Sequence, residues 1–417
     1  MKKTGKPVPE MEKAAAFARE FQALDKHSAA LDFSNTEHAF VDKSNPELRK
    51  AVWLFKLMNN PALVSAGASL AMMAVNLRLP FFETLVRKSI FEQFCGGTSL
   101  LNAGESIRRL HKYSVQTVLD YGAEGKERES DFNHTMAENM RAIDFSSQVS
   151  GVTTISTKVT GLARFALLER VSSGEALTQK EKDEFQNVVK RVDSICHAAR
   201  NAGVRLFIDA EESWIQPAID KIANQMMKRY NREGVVVYNT FQLYRSDRLA
   251  FLMESFDRAR RDGYMLGAKL VRGAYMDKER KRAEELGNPS PIQPNKAAAD
   301  QDYNLALRFC IDNYTSIACC NASHNMESNS LMASLIDQKG LQRNHPHLMF
   351  CQLYGMSDNI TFNLAAAGYN VAKYVVYGQV RDVVPYLIRR TRENTSITGD
   401  LSRELQLHLQ EARRRGL

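Results

Sequence analysis

The sequence predicts a distorted (β/α)8 barrel preceded by an N-terminal helical region, and three observations point that way. Eight short runs rich in β-branched residues alternate with helix-like segments from residue 114 onward. Parallel strands need a crossover helix between them, and eight such units can close on themselves. The stretch 114–397 also has the length of a barrel of ~250 residues with some insertion. Finally, no strand-like run is followed by G-x-G-x-x-G, so the competing open doubly wound sheet would lack its dinucleotide-phosphate turn.

Residues 1–113 read as the helical region, because AAAFAREFQAL, PELRKAVWLFKLM and FFETLVRKSIFEQF space their apolar residues at helical intervals and carry few strand signals. The barrel strands are expected at 114–121 (SVQTVLDY), 152–159 (VTTISTKV), 204–209 (VRLFID), 235–243 (VVVYNTFQL), 265–272 (MLGAKLVR), 315–321 (TSIACCN), 347–353 (HLMFCQL) and 371–377 (VAKYVVY). Between them lie helical patterns such as DRLAFLMESFDRARRDG, with Gly263 placed to cap its C-terminus. The barrel domain is expected to occupy 114–397, with a helical tail over 398–417.

Composition narrows the function classes. With 44% hydrophobic and 25% charged residues over 417 positions, the chain is of ordinary globular type. The formal charge of +8 is spread along the chain without a basic-aromatic motif, which argues against nucleic acid and fits a small acidic substrate or an anionic membrane surface. The six cysteines, at 95, 196, 310, 319, 320 and 351, form no C-x-x-C and no zinc spacing; they read as reduced, mostly buried thiols in a cytosol-like compartment, with no metal expected. The opening MKKTGKPVPEMEKAAAFAREFQ lacks a secretory core. Leu57 to Leu77 is the least charged segment, and its near-apolar part, Ala62 to Val75, has the length of a buried or interfacial helix.

Barrel active sites form at the carboxyl ends of the strands. Those positions hold Asp120, Glu124, Lys158, Asp209, Glu211, Glu212, Gln242, Lys269, Arg272, Gly273, His324, Asn325, Leu353 and Tyr374. Directly after the eighth run comes YLIRRTREN (386–394), which places Tyr386, Arg389, Arg390 and Glu393 on one helix face. At the barrel mouth that stripe would meet a ligand; on a surface it would be a solvated ion pair. Lys158, Arg389 and Arg390 are expected to converge among few fixed anions, so a small carboxylate or phosphate is implied, with Glu393 and Asp209 orienting the guanidinium groups. The alternative for Lys158 is a structural bridge to Asp209. His324 reads as a structural group or a ligand contact, and Asp209, Glu211, Glu212 and His324 show no metal spacing.

Six of these segments resemble, in order, motifs of the proline dehydrogenase family: TVLDYGAEG (117–125), FIDAEE (207–212), KLVRGAY (269–275), SHN (323–325), QLYGM (352–356) and YLIRRTREN (386–394). The resemblance implies a distorted barrel that holds FAD noncovalently, oxidises L-proline to Δ1-pyrroline-5-carboxylate and passes electrons to a quinone at a membrane. Carried over, Lys158, Arg389 and Arg390 resemble the carboxylate clamp, and Asp209, Leu353, Tyr374 and Tyr386 resemble the walls around the proline ring. Glu393 resembles the residue tying the clamp helix in place. Gln242, Lys269, Arg272, Gly273, Ala274, Tyr275, His324 and Asn325 match positions that touch the flavin. KLVRGAYM is similar to the monofunctional, mitochondrial branch, and YVVYG (374–378) lacks the family's proline.

Side chains cannot accept a hydride, so this reading needs a cofactor, and without a Rossmann turn a barrel-bound flavin is the natural one. The expected chemistry is hydride transfer from proline C5 to flavin N5 after the amine loses its proton, favoured by nearby cations. Tyr374 is expected to leave little room for a 4-hydroxyl. Hydroxyproline oxidation on the same scaffold and a catalytically silent binding module are the alternatives. The localisation implied is cytoplasmic, with peripheral association at the inner membrane possible. LGNPSPIQPNKAAADQDY (286–303) is either a lid or a rigid loop.

Overall fold

The structure, a computed structural model, describes residues 31–60, 62–64, 67, 80–122, 125–396 and 400–417. The AAAFAREFQAL helix, Glu124 and most of the Leu57–Leu77 segment lie outside the described residues, as does the side chain of Glu393. Among the described residues nine strands form one sheet: β1 (Cys95–Gly97), β2 (Gln116–Tyr121), β3 (Val152–Thr157), β4 (Arg205–Ile208), β5 (Val237–Gln242), β6 (Leu266–Val271), β7 (Ile317–Ala322), β8 (Leu348–Leu353) and β9 (Val371–Tyr377). Strands β2 to β9 pair in parallel with their chain neighbours, and β9 closes on β2, from Gln116 opposite Ala372 to Tyr121 opposite Tyr377. The predicted barrel is therefore present; seven of its strands fall inside the runs expected for them, and β7 runs one residue past its expected end at 321.

Alternation along the strands builds two layers of core. On β9, Ala372, Tyr374 and Val376 join the cluster filling the barrel interior, with Val118, Phe207, Tyr238, Cys320 and Met349. Val371, Val375 and Tyr377 face outward, against a larger cluster shared with the surrounding helices. All six cysteines are buried, where most were expected to be.

β1 departs from the expectation of a purely helical N-terminal region. Its residues, Cys-Gly-Gly, carry no strand propensity; the strand exists because it lies in parallel against the end of β9. That approach depends on glycine, since a Cβ on Gly96 would sit 2.3 Å from Val375 Cγ1.

The preceding helix Asn45–Met58 starts with a capping box between Ser44 and Glu47. It packs Ala51, Leu54, Phe55 and Met58 inward, and Lys43 reaches Asp358 of the barrel at 2.9 Å. The described N-terminal residues thus dock on the barrel. No helix among the described residues is long and apolar enough to cross a membrane.

The 286–303 segment is a tied loop. The helix Met276–Leu286 ends at Gly287 in the left-handed region, and Asn295 caps the following helix Lys296–Asp312. Between them Ser246 N–H donates to Pro291 O (3.0 Å) and Gln293 N–H to Tyr244 O (2.8 Å), while Ile292 is buried.

Candidate active site

The carboxyl ends of the barrel strands open into a cavity of about 540 Å³, within the ~300–1,000 Å³ range of small-molecule and cofactor sites. Its wall includes Lys158, Asp209, Leu353, Tyr374, Tyr386, Arg389 and Arg390 from the expected substrate set. Gln242, Lys269, Arg272, Gly273, Ala274, Tyr275, His324 and Asn325 from the expected cofactor set line it as well. Residues from seven strand ends and the last barrel helix are brought together.

The innermost part is a network of two lysines, two carboxylates and a tyrosine. Lys269 Nζ lies 2.5 Å from Asp209 Oδ1 and 4.7 Å from the centre of the Tyr374 ring. The Tyr374 hydroxyl donates to the other oxygen, Asp209 Oδ2, at 2.7 Å. Lys158 pairs with Asp120 at 2.9 Å and stands 3.8 Å from Asp209. Burial alone would push Asp209 up, but Lys269 and then Lys158 hold its carboxyl below the usual range. For Asp120 burial prevails and, with the charge on Asp209, holds the carboxyl above that range despite Lys158. Burial and these carboxylates keep the Tyr374 hydroxyl well above its ordinary pKa, so it remains a donor.

Two sequence-based expectations are corrected here. Lys158 does not stand among few fixed anions, since Asp120 pairs with it more closely than Asp209 does. The register that places Asp120 beside Ser156, two residues from Lys158, is a sheet property the sequence does not display. Asp209, expected to orient guanidinium groups, commits its oxygens to Lys269 and Tyr374.

The helix Val380–Ser396 supplies the opposite wall. Its Arg390 guanidinium lies 5.4 Å from the centre of the Tyr386 ring and that of Arg389 lies 5.9 Å from the centre of the Tyr275 ring, both within cation–π range. This fixes the stripe of the YLIRRTREN helix as a cavity wall rather than a solvated face.

The remaining wall is held in place by its own hydrogen bonds and close packing. Arg272 is clamped by Asp300 (2.6 Å), Ser323 Oγ (2.8 Å) and Ser328 Oγ (3.1 Å), and its guanidinium carbon lies 4.4 Å from the Tyr303 ring centre. Gly273 has φ 141°, and a Cβ there would lie 2.2 Å from the Tyr244 ring, so only glycine fits. Gln242 donates through Nε2 to Glu211 O at 3.0 Å, whereas its buried Oε1 has no hydrogen-bond partner. That orphaned acceptor on the cavity wall suits a ligand N–H or O–H. Asn325 caps the helix Met326–Gln338 through its side chain. His324 Nδ1 lies 2.9 Å from Ser357 Oγ; burial, then the charges of Lys373, Arg390, Arg403 and Arg272, push its pKa down to about 3, so the imidazole is neutral.

Thr240, Ser323, Gln352 and Arg403 also line the cavity but were given no role from sequence, and Asp120, noted among the strand ends, was left out of the expected substrate and cofactor sets. Asp120 stood at a strand end; Arg403 carried no signal, lying in the helix Asp400–Arg414 beyond the barrel. No cluster among the described residues could hold a metal ion.

A closed parallel barrel with a cation-walled, polar-lined cavity at its strand ends defines a (β/α)8 protein with an enzyme-type ligand site. Residues 103–403 match the family model described as proline dehydrogenase, and the chain belongs to that family. It is 32% identical over 362 residues to proline dehydrogenase 1, mitochondrial, of Drosophila melanogaster, covering 81% of this chain and 51% of that protein. The chain therefore spans about half the length of that relative. It is 30% identical over 432 residues to the hydroxyproline dehydrogenase of Xenopus laevis, covering 94% of this chain and 92% of that protein. Among solved structures, proline utilization A from Bdellovibrio bacteriovorus superposes with a TM-score of 0.68 at 18% identity, over 93% of this chain and 42% of that one, a likeness of fold.

Proposed function

We propose that this chain is an FAD-dependent proline dehydrogenase that oxidises L-proline to Δ1-pyrroline-5-carboxylate. The observation that carries this reading is the cavity itself, with Arg389 and Arg390 on one wall facing the Lys269–Asp209–Tyr374 network on another. Two guanidinium groups suit a carboxylate, and the hydrogen-bonded Tyr374 ring offers a flat, rigid apolar face beside it.

The residues present fit a flavin. Gln242 Oε1 offers a buried acceptor, Gly273 admits close backbone approach, and Arg272, paired with Asp300 and held by two serine hydroxyls, presents a rigid guanidinium. Ala274, Tyr275, His324 and Asn325 complete the wall assigned to the cofactor. Bound FAD supplies a two-electron acceptor for the hydride leaving C5 of proline. The chain's own part is to bind and orient the substrate and to favour loss of its ammonium proton to water. Arg389 and Arg390 hold the carboxylate, while Leu353, Tyr374 and Tyr386 enclose the ring. The positive field of the two arginines favours loss of the ammonium proton, so that the nitrogen lone pair can form the C=N bond. Asp120 offsets part of the charge that Lys158 adds to that field. Glu393 is assigned to holding the clamp helix.

Electrons are proposed to pass to a quinone, with the chain lying peripherally on the inner membrane from the cytoplasmic side. Exposed Trp53, Leu63 and Leu85, which lie within or close to the 57–77 stretch in sequence, support that association. Hydroxyproline oxidation is retained as a second reading because the Xenopus laevis relative aligns over nearly the whole of both chains. The test is steady-state turnover of each substrate by FAD-saturated protein with a soluble quinone. Formation of the pyrroline from L-proline supports the proposal, and no turnover of L-proline at saturating FAD rejects it.

A further inference from the structure

The helix Asp400–Arg414 follows the last barrel helix and returns to the cavity, where Arg403 joins the wall. Beside it Glu404 is 4% exposed, a burial that a carboxylate tolerates only with partners. Its Oε1 accepts the backbone N–H of Ser357 at 2.7 Å. Ser357 joins β8 to the helix Asp358–Ala366, is 2% exposed and has φ +49°, a left-handed backbone that a serine keeps only when its surroundings impose it. Its hydroxyl lies 2.9 Å from Nδ1 of His324, and His324 lines the cavity. A hydrogen-bonded path therefore runs from the C-terminal helix to an imidazole in the site, leaving Nε2 as the ring's polar atom for a ligand.

We propose that Glu404 is a positioning residue for His324: by holding Ser357 in its left-handed conformation it fixes the seryl hydroxyl, and with it the rotation and tautomer that the imidazole presents to the cavity. The coupling is a property of the chain alone; only its catalytic consequence rests on the reading of the cavity as a flavin and proline site. Removing Glu404 frees a strained peptide to relax, so the hydroxyl loses its fixed direction and the ring its partner.

Burial and then the charge on Asp358 push the Glu404 carboxyl up to about 7. Around it stand Asp358 on the helix after β8, Lys373 on β9, and Arg403 and His408 on its own helix, with Lys43 of the N-terminal segment paired to Asp358 at 2.9 Å. His324 and His408 are pushed down to about 3 and about 4, chiefly by burial, so neither gains a proton near neutrality. Asp42, beside Lys43 and Asp358, and Asp120, across the cavity, are raised carboxyls as well, so a change at the His324 ring is assigned to Glu404 only where it needs both Glu404 and Ser357; the bond to Ser357 N–H weakens when the Glu404 carboxylate is neutralised.

The test uses the full chain with 15N-labelled histidine and no added cofactor, titrated from about pH 5.5 to 8.5, with the His324 ring signals identified by their loss in His324→Gln. The wild-type signals are expected to move with a midpoint near 7, the value indicated for Glu404. In Glu404→Gln, which keeps the shape, and in Ser357→Ala, which cuts the path at the hydroxyl, they are expected to stay flat. A flat wild type, or the same midpoint in either folded variant, overturns the proposal. With FAD and L-proline, the limb of kcat/KM near pH 7 should vanish in Glu404→Gln. A wild type that does not oxidise proline instead refutes the functional reading, and the ring signals still decide the role of Glu404.

Discussion

Replacing Lys269 by Met removes the closest charge partner of Asp209 while keeping the length and apolar character of the stem. The pair is 2.5 Å apart, with both side chains about a tenth exposed or less. Breaking a buried pair by removing one partner costs ~3–5 kcal/mol, because it strands the other charge. Lys158, 3.8 Å from Asp209, compensates in part but is held at 2.9 Å by Asp120, so a loss near ~3 kcal/mol is expected for Lys269→Met. Asp209→Asn should cost a comparable amount, and the double variant much less than the sum, giving a coupling energy of ~2 kcal/mol. The assay is urea unfolding of the four proteins at pH 7.

The sign of the pH dependence follows from the lowered pKa of Asp209. Its stabilisation is fully present above the unfolded carboxylate value of ~3.9 and is lost as pH falls through the folded value. The gap between wild type and Asp209→Asn should therefore hold from pH 7 to about pH 5 and close in more acidic solution. A coupling below ~0.5 kcal/mol, or a gap that widens with acid, would refute the network as the element that organises the floor of the cavity.

Further outcomes follow from the same geometry. Arg389→Met and Arg390→Met should each raise KM for proline ~10–100-fold, the equivalent of one charge-assisted hydrogen bond, and an unchanged KM would remove that arginine from the clamp. In the pH profile of kcat/KM, Lys158→Met should leave the apparent pKa of the substrate amine nearly unmoved, because Asp120 offsets Lys158; a clear rise would contradict that offset. Gly273→Ala places a Cβ 2.2 Å from the Tyr244 ring, so FAD affinity measured by fluorescence should fall at least tenfold, and unimpaired binding would show that the loop does not cradle the cofactor. L-proline should exceed hydroxyproline in kcat/KM by ~10-fold or more, the scale at which a tight pocket discriminates, and equal turnover would favour the second reading. A Glu404 carboxyl raised to about 7 makes the folded protein lose stability as pH rises from ~4.5 to 7. Glu404→Gln should therefore gain up to ~3 kcal/mol on wild type across that interval in urea melts, and a constant difference would refute the raised pKa.

Much of this was legible in the sequence because it rests on local pattern. Runs such as VRLFID and VAKYVVY show strand chemistry in their own residues, and β4 and β9 lie within them. The polar stripe of Tyr386, Arg389 and Arg390 is a helical periodicity, and the helix Val380–Ser396 keeps it despite Pro385 inside it. Features that depend on tertiary placement were not legible. β1 is Cys-Gly-Gly, a strand only because β9 offers it an edge. Asp120 was visible as a strand-end carboxylate, but its pairing with Lys158 follows from the β2–β3 register. Arg403 and Glu404 belong to an amphipathic helix that returns to the cavity, and nothing in their local sequence points to His324.

The central claim is that the cavity brings a flavin and the carboxylate-clamped ring of proline together. It is tested most directly by adding L-proline without oxygen to the purified, FAD-supplied protein while recording the visible spectrum. The account predicts prompt bleaching of the flavin band near 450 nm with stoichiometric formation of the pyrroline, and a spectrum unchanged at saturating proline would contradict it.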